Sequence, residues 1–505
     1  MSKRKNVLFI TGDQWRGECL SAARHPVVRT PNLDRLATEG TMFHRHYTQA
    51  TPCGPSRASL YTGLYLHNHR MVINNTAMDA RHTNVALEAR KAGYEPALFG
   101  YTDIGSDPRV DTPPAPEDRY YMVLPGMDTI GVLNEDFKPW LDHLESKGYM
   151  RPEPPLSVFQ HSEDGPDDPD RGFTYPPAKY KAEDSSVAFL TNETINFIKD
   201  KGETPWFVHL SYFSPHPPFI APEPYNAQYD PADVSLPIRR DNVEDEAAQH
   251  PLTKEAIYNQ RDIPLRLGVD KKTHPQLSEL DLRQARATYY GMMSEVDDQI
   301  GRLVDYLEES GNLEDTLIIF CSDHGEQLGD HWMFSKTSYF EQTFHTPLII
   351  RDPDAPKQAK GNVVTDRFTE NVDIMPTILD WLGLEVPREC DGKSLTPFLS
   401  GGTPAKWRTE VHSEHDFRDY MGIDGKPAFG LEPDECAMNI IRDERYKYVH
   451  FTAMPPLFFD LEKDPNEFNN LAEEPEFQPL IAKYLQKQMS WRMRHDDRGL
   501  THIRY

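Results

Sequence analysis

An α/β fold with a mainly parallel central sheet flanked by helices is what this 505-residue sequence predicts. Three observations point there. The short apolar runs "KNVLFITGD" (5–13), "PWFVHLSYF" (205–213) and "TLIIFCSDHGE" (316–326) have the near-continuous hydrophobic character of strands buried on both faces. Amphipathic helical stretches lie between them. Each run also closes on chemistry-bearing residues, Asp13, His216 and the pair Asp323-His324, at the carboxyl edge where ligands bind such sheets.

The first strand begins near Val7 and ends in Gly-Asp. One helix is predicted over roughly 184–200. A longer one spans 281–309, with Leu282, Ala285, Tyr289, Met292, Val296, Ile300, Leu303 and Leu307 at helical spacing. Pro- and Asp-rich stretches at 107–118, 151–178 and 214–238 read as loops long enough to wall a site. Segments 105–180 and 214–280 are therefore expected to shape the pocket. After "DGKSLTPFLSG" (391–401) the texture changes to "NIIRDERYKYVHF" and "PLFFDLEKDPNEFNNLAEEP", a small α+β unit. The expected division is a larger α/β domain, 1–398, and a C-terminal subdomain, 399–505.

A balance of 54 basic against 80 acidic residues, net −26, argues against a nucleic-acid partner but leaves room for a local cationic pocket. Five scattered cysteines without a C-x-x-C pair form neither a disulfide framework nor a zinc knuckle, and they fit a reducing compartment. The apolar run Val7–Ile10 is too short for a signal segment. No stretch approaches the roughly 18 apolar residues of a membrane span. A cytoplasmic protein with no membrane partner is expected, so the sequons at Asn74 and Asn192 carry no weight.

In "GDQW" (12–15) and "SDHGEQLGDH" (322–331), Asp13, Gln14, Asp323 and His324 offer hard oxygens and one imidazole. Together they could enclose one divalent cation such as Ca²⁺ or Mn²⁺. Either pair alone equally fits a helix cap or a loop. "CGPSRASLYTG" (53–63) reads as a helix start, with Pro tolerated in the first turn. A helix N-terminus presents free amides and positive potential to an anion, and Arg57 adds a cation one turn in. Cys53 then has two readings, a small buried thiol or a nucleophile between a metal and an anion site.

C-x-P-S-R is the signature by which sulfatases of the alkaline phosphatase superfamily have a cysteine converted to formylglycine, and "CGPSR" matches it. "DHGEQLGDH", "NVDIMPTILDWLG", "DGKSLTPFLSG" and "FFDLEKDPNEFNNLA" resemble further sulfatase blocks in the family's order, over nearly the whole chain. The resemblance implies an alkaline phosphatase-like fold and formylglycine derived from Cys53 by a formylglycine-generating enzyme. It also implies covalent catalysis with one divalent metal as Lewis acid.

Two departures stand out. Ordinary sulfatases carry two carboxylates where this chain has Asp13-Gln14, and a G-K-W-H-L-G block where it has "GYTDIG" (100–105). Tyr101 thus replaces a lysine and Asp103 a histidine. With "GLYLHNHR" and "SYFSPHPPFIAPEPY", this pattern resembles the phosphonate monoester hydrolase and phosphodiesterase branch, which has arylsulfatase relatives. Carried over by that resemblance, His216 and Lys336 contact the transferred group or assist the leaving oxygen. Arg57 orients the formylglycine, and Asn74 and Tyr101 line the pocket. Asp103 would repel an anion unless protonated or paired with a cation such as Lys336.

The implied function is hydrolysis of small, singly charged sulfate, phosphonate or phosphodiester substrates. The alternatives are an unmodified metal-dependent phosphomonoesterase or phosphomutase of the superfamily, and a binding protein on a dead sulfatase fold. Relatives on this branch imply a homo-oligomer, dimer or tetramer, joined through the aromatic and basic terminus "SWRMRHDDRGLTHIRY". The competing expectation is that this terminus packs back on its own chain.

Overall fold

Strand β1 (Asn6–Gly12), with every residue buried, lies inside an eight-stranded sheet. The computed structural model describes residues 5–110, 123–133, 136–162, 168, 170–259, 277–419 and 428–501. The sheet order is β5 (Asp128–Val132), β4 (Pro96–Gly100), β6 (Phe207–Tyr212), β1, β7 (Thr316–Ser322), β8 (Leu348–Arg351), β2 (Thr41–Tyr47) and β9 (Asn362–Glu370). All neighbours run parallel except β8, which is antiparallel to β7 and β2. Gly12 pairs with Tyr212 on one side and Ser322 on the other, so the three predicted strands end level. That register brings Asp13 and Asp323 out at one edge.

Alternation along the strands feeds two cores. Leu8, Ile10, Val208, Leu210, Ile318 and Phe320 pack on one face with the Glu279–Glu309 helix, whose predicted apolar stripe is buried throughout. Val7, Phe9, Phe207, Ile319 and Cys321 pack on the other with the Cys53–Thr62 and Ile374–Leu382 helices. Ser278 and Asp281 cap the long helix reciprocally, which satisfies amide donors that would otherwise be orphaned at its start. The Ser186–Lys201 helix is capped by Ser185, which accepts from the Ala188 amide.

The second sheet has the order β13 (Leu457–Asp460), β12 (Tyr446–Phe451), β11 (Ala437–Asp443), β10 (Glu410–Asp416) and β3 (Ala50–Thr51). Its first four strands are antiparallel, while β3 joins β10 in parallel, pairing Ala50 with Glu414 and Thr51 with His415. The backbone leading into Cys53 is therefore held by the C-terminal sheet. The Gln478–His495 helix closes this α+β unit. Trp491 is buried against its own chain, stacked on His412 at 4.2 Å and edge-on to Tyr65 and His67. Arg492 pairs with Glu414 at 3.0 Å and Arg498 with Asp391 at 2.9 Å. The terminal segment thus packs back on its own chain through 498, against residues of both parts, and Tyr505 lies outside the described residues. Within the predicted loop walls, 111–122, 134–135, 163–167, 169 and 260–276 also lie outside them. No helix among the described residues is long and apolar enough to cross a membrane.

Candidate active site

The Cys53–Thr62 helix starts directly after β3 and is buried along its whole length. Gly54 donates its amide to Asn74 Oδ1 at 2.8 Å. A Cβ at residue 54 would come within 2.8 Å of Met71 Cε and 3.2 Å of Asn74 Oδ1, so any other residue here would displace both side chains. Ser56 Oγ donates to the Asp323 carbonyl, fixing the helix start against the end of β7.

Ligand atoms of Asp13, Cys53, Asp323 and His324 all lie within 4.8 Å of one another, and all four residues are buried. His324 Nδ1 lies 3.0 Å from the Gly325 carbonyl and Nε2 lies 3.2 Å from Cys53 Sγ. A proton on Nδ1 leaves the Nε2 lone pair facing the cluster. Burial holds this imidazole below its usual pKa.

Arg57 is fully buried and spans both carboxylates, from Nε to Asp323 Oδ2 at 2.9 Å and from Nη2 to Asp13 Oδ2 at 3.2 Å. Its Nη1 donates to Ser211 Oγ at 2.9 Å and to the Tyr101 carbonyl at 3.2 Å. The Tyr101 ring lies 4.3 Å from the guanidinium, and its hydroxyl donates to Asp13 Oδ2. Asp13 Oδ1 is buried with no hydrogen-bond partner. Burial and the charge of Asp323 raise Asp13, against the pull of Arg57. Burial also works to raise Asp323, yet His324 and Arg57 hold it down at about 2. An orphaned carboxylate oxygen, a second carboxylate and a lone pair on nitrogen are the donor set of a divalent cation. The residues present fit one. Burial, then Asp13, pushes the Cys53 thiol far up, so the unmodified side chain is a protonated, weak nucleophile.

A cavity of about 340 Å³ opens onto Cys53. Its polar end holds Asn74, Tyr101, Asp103, His216 and Lys336. Lys336 Nζ donates to Gln14 Oε1 at 2.7 Å and to His216 Nε2 at 3.0 Å, and His216 Nδ1 faces the Pro217 carbonyl at 2.6 Å. Gln14 takes a left-handed φ of 66°, turning the chain off β1, and its amide nitrogen donates to Glu326. Its oxygen thus faces Lys336, while Cys53 Sγ shares the ligand cluster. Tyr101 is set by Gly100, with φ of 99°, where a Cβ would strike the Ser211 carbonyl at 1.9 Å. Asp103 also has a left-handed backbone, φ 56°, and burial pushes its carboxyl up to about 7.

Every residue predicted for the site converges here. Sequence reasoning missed Glu326, fully buried inside the quoted "DHGEQLGDH", which accepts from Gln14 and from the Leu328 and Ser335 amides. It also missed the apolar wall of Leu133, Phe137, Leu156, Leu190 and Phe213. Those residues come from separate segments, and no local pattern links them.

The sulfatase family model matches residues 5–384, and a model for the N-sulphoglucosamine sulphohydrolase C-terminal region matches 329–495. The chain is 44% identical over 513 residues to a multifunctional alkaline phosphatase superfamily protein, PehA, of Trinickia caryophylli, covering 99% of this chain and 98% of that one. It is 29% identical to an arylsulfatase of Clostridium perfringens, over 99% of this chain and 96% of the relative. Among solved structures, the phosphonate monoester hydrolase of Agrobacterium radiobacter superposes with a TM-score of 0.92 at 42% identity, covering 99% and 98% of the two chains.

Proposed function

The chain belongs to the sulfatase family, and from that premise we propose that it hydrolyses singly charged sulfate, phosphonate and phosphate esters of small molecules, with residue 53 as the attacking group. The observation that carries this reading is the position of Cys53: first residue of a buried helix, with Sγ 3.2 Å from His324 Nε2 and within the carboxylate cluster.

Asp13, Asp323 and His324, with Gln14 beside them, would hold one divalent cation, Mn²⁺ or Ca²⁺, which when bound supplies Lewis acidity at the attacking oxygen. Formylglycine, made from Cys53 by a formylglycine-generating enzyme, supplies that oxygen as the hydroxyl of its hydrate. Arg57 neutralises and spaces the two carboxylates, and Asn74 fixes the backbone next to residue 53. The Lys336 ammonium, hydrogen-bonded to His216, is placed to balance the charge of the bound anion, and the pair can deliver a proton to the departing oxygen. The apolar wall receives the organic part of the ester and excludes water from it.

Charge sets the substrate class. Arg57 is committed to Asp13 and Asp323, so among the described lining residues Lys336 is the one cation facing the cavity. One cation suits a monoanion.

The proposed organisation is a catalytic domain at 1–398 and a C-terminal subdomain at 399–505, assembled as a homo-oligomer (dimer or tetramer) in the cytoplasm. A reducing compartment keeps the five unpaired, buried cysteines as thiols. The deciding experiment is the mass of the peptide carrying residue 53, from protein co-expressed with a converting enzyme, alongside turnover of an aryl sulfate and an aryl phosphonate. An aldehyde mass with turnover is expected. A thiol mass in a fully active protein overturns the assignment.

A further inference from the structure

Asp103 takes part in none of the steps above. It lines the cavity beside Cys53, and its carbonyl lies 3.4 Å from where a Cβ on Gly54 would stand, next to the start of the nucleophile helix. Among the described residues no side chain donates a hydrogen bond to its carboxyl. The two nearest protein cations are engaged elsewhere: Arg57 with Asp13 and Asp323, Lys336 with Gln14 and His216. Asp103 therefore sets a carboxyl beside the pocket for the transferred anion, and when ionised it repels that anion.

Its backbone is held at φ 56°, a region that aspartate and asparagine enter more readily than most side chains but at some cost. A carboxyl with no partner among the described residues, in a site built for an anion, is a recognition element for a positive charge the substrate itself carries, which would also favour its ionised form. Phe213 walls the same cavity and adds π surface favourable to a cation.

We propose that Asp103 is a specificity-determining residue that binds an ammonium group on the non-leaving substituent, so that the site selects zwitterionic esters: aminoalkylphosphonate monoesters and phosphodiesters with one amino alcohol. The inference rests on the ester-hydrolase reading and names its substrate class. The substrate's negative centre faces Lys336 while its ammonium neutralises Asp103, and the otherwise repulsive carboxylate becomes half of an ion pair. A charge-assisted hydrogen bond of this kind is worth about 1.5–3 kcal/mol, or roughly ten- to a hundredfold in affinity.

The test compares two isosteric esters with one leaving group, 4-nitrophenyl 2-aminoethylphosphonate and 4-nitrophenyl propylphosphonate, on the formylglycine- and metal-loaded enzyme. Wild type should favour the aminoethyl ester at least about tenfold in kcat/KM. In Asp103→Asn, which keeps the left-handed backbone accessible, activity on the aminoethyl ester should fall at least about tenfold and activity on the propyl ester should rise. Asp103→Gly, equally at home at this φ, should repeat the pattern. Calorimetric binding of free 2-aminoethylphosphonate against propylphosphonate reads the same preference without turnover. A wild-type ratio near one, a ratio that survives both variants, or an equal loss on both esters overturns the inference while leaving the hydrolase reading intact. Failure to turn over either ester with the binding preference present overturns the hydrolase reading instead.

Discussion

Arg57 donates from Nε to Asp323 Oδ2 across 2.9 Å, and neither side chain is exposed to solvent. The pair connects the nucleophile helix to the end of β7, and the same guanidinium reaches Asp13 at the end of β1. Removing one partner of a buried pair leaves the other charge stranded, at about 3–5 kcal/mol. Arg57→Ala should lose that much stability in denaturant titration, together with turnover. Arg57→Lys keeps the charge but not the fork that spans two carboxylates, and should fall between. A fully stable Arg57→Ala protein would show that the carboxylates do not depend on this cation.

Cys53→Ala and Cys53→Ser should each lower kcat by about a thousandfold or more, because alanine has no group to oxidise to the aldehyde and serine lacks the thiol on which a cysteine-converting enzyme acts. The volume change is small at a helix start, so unfolding free energy should shift by no more than about 1 kcal/mol. Serine keeps a group of similar shape and separates loss of the nucleophile from loss of packing. Normal turnover in either variant ends the assignment.

Aryl sulfates, phosphonate monoesters and phosphodiesters should outrun a phosphate monoester dianion with the same leaving group. Lys336 is the one cation of the described cavity lining, and a second negative charge meets Asp103 instead of a partner. An uncompensated charge in such a site costs several kcal/mol, or roughly two orders of magnitude or more in kcat/KM. Faster turnover of the dianion would contradict the charge argument.

Glu295 gives a pH dependence unrelated to catalysis. Its side chain lies on the buried face of the long helix, Oε1 has no hydrogen-bond partner among the described residues, and burial pushes its carboxyl up to about 7. The folded state holds this proton to higher pH than the unfolded chain does. Stability should therefore fall as pH rises from about 4.5 toward 7, by about 3 kcal/mol in all, and level off above. Glu295→Gln should remove that slope and be the more stable protein at pH 8. Parallel pH profiles for wild type and variant would count against it.

Deleting residues 492–505 tests the proposed assembly. Sedimentation should show the full chain as a dimer or tetramer and the truncated chain at lower mass. Because Trp491 packs on its own chain, Trp491→Ala should act differently, destabilising each protomer by about 3–5 kcal/mol. A full-length monomer at micromolar concentration excludes the oligomer, and an unchanged mass after truncation excludes the tail as the contact.

The strands at 5–13, 205–213 and 316–326, the long helix and the Cys53 helix start were all legible in the sequence, because continuous apolar runs, a 3.6-residue period and a proline in a first turn are signals written between near neighbours. Asp13, Gln14, Cys53, Arg57, Asp323 and His324 were legible too, since "GDQW", "CGPSR" and "SDHGEQLGDH" each carry their chemistry within a few positions, whereas Asn74, Tyr101 and Lys336 were assigned by the family resemblance. The tertiary structure alone decided which atoms of those residues meet. Cys53 and His324 are separated by 271 positions, and Lys336 and Gln14 by 322, and they touch because β1, β6 and β7 end level in one register. The antiparallel β8, the hold of β10 on the segment before Cys53, the apolar wall and the burial of Trp491 likewise depend on long-range packing. No local periodicity encodes such contacts. They are selected when whole faces are buried together, and that selection turned Asp103 from one acidic residue among many into a carboxyl beside the nucleophile with no partner among the described residues.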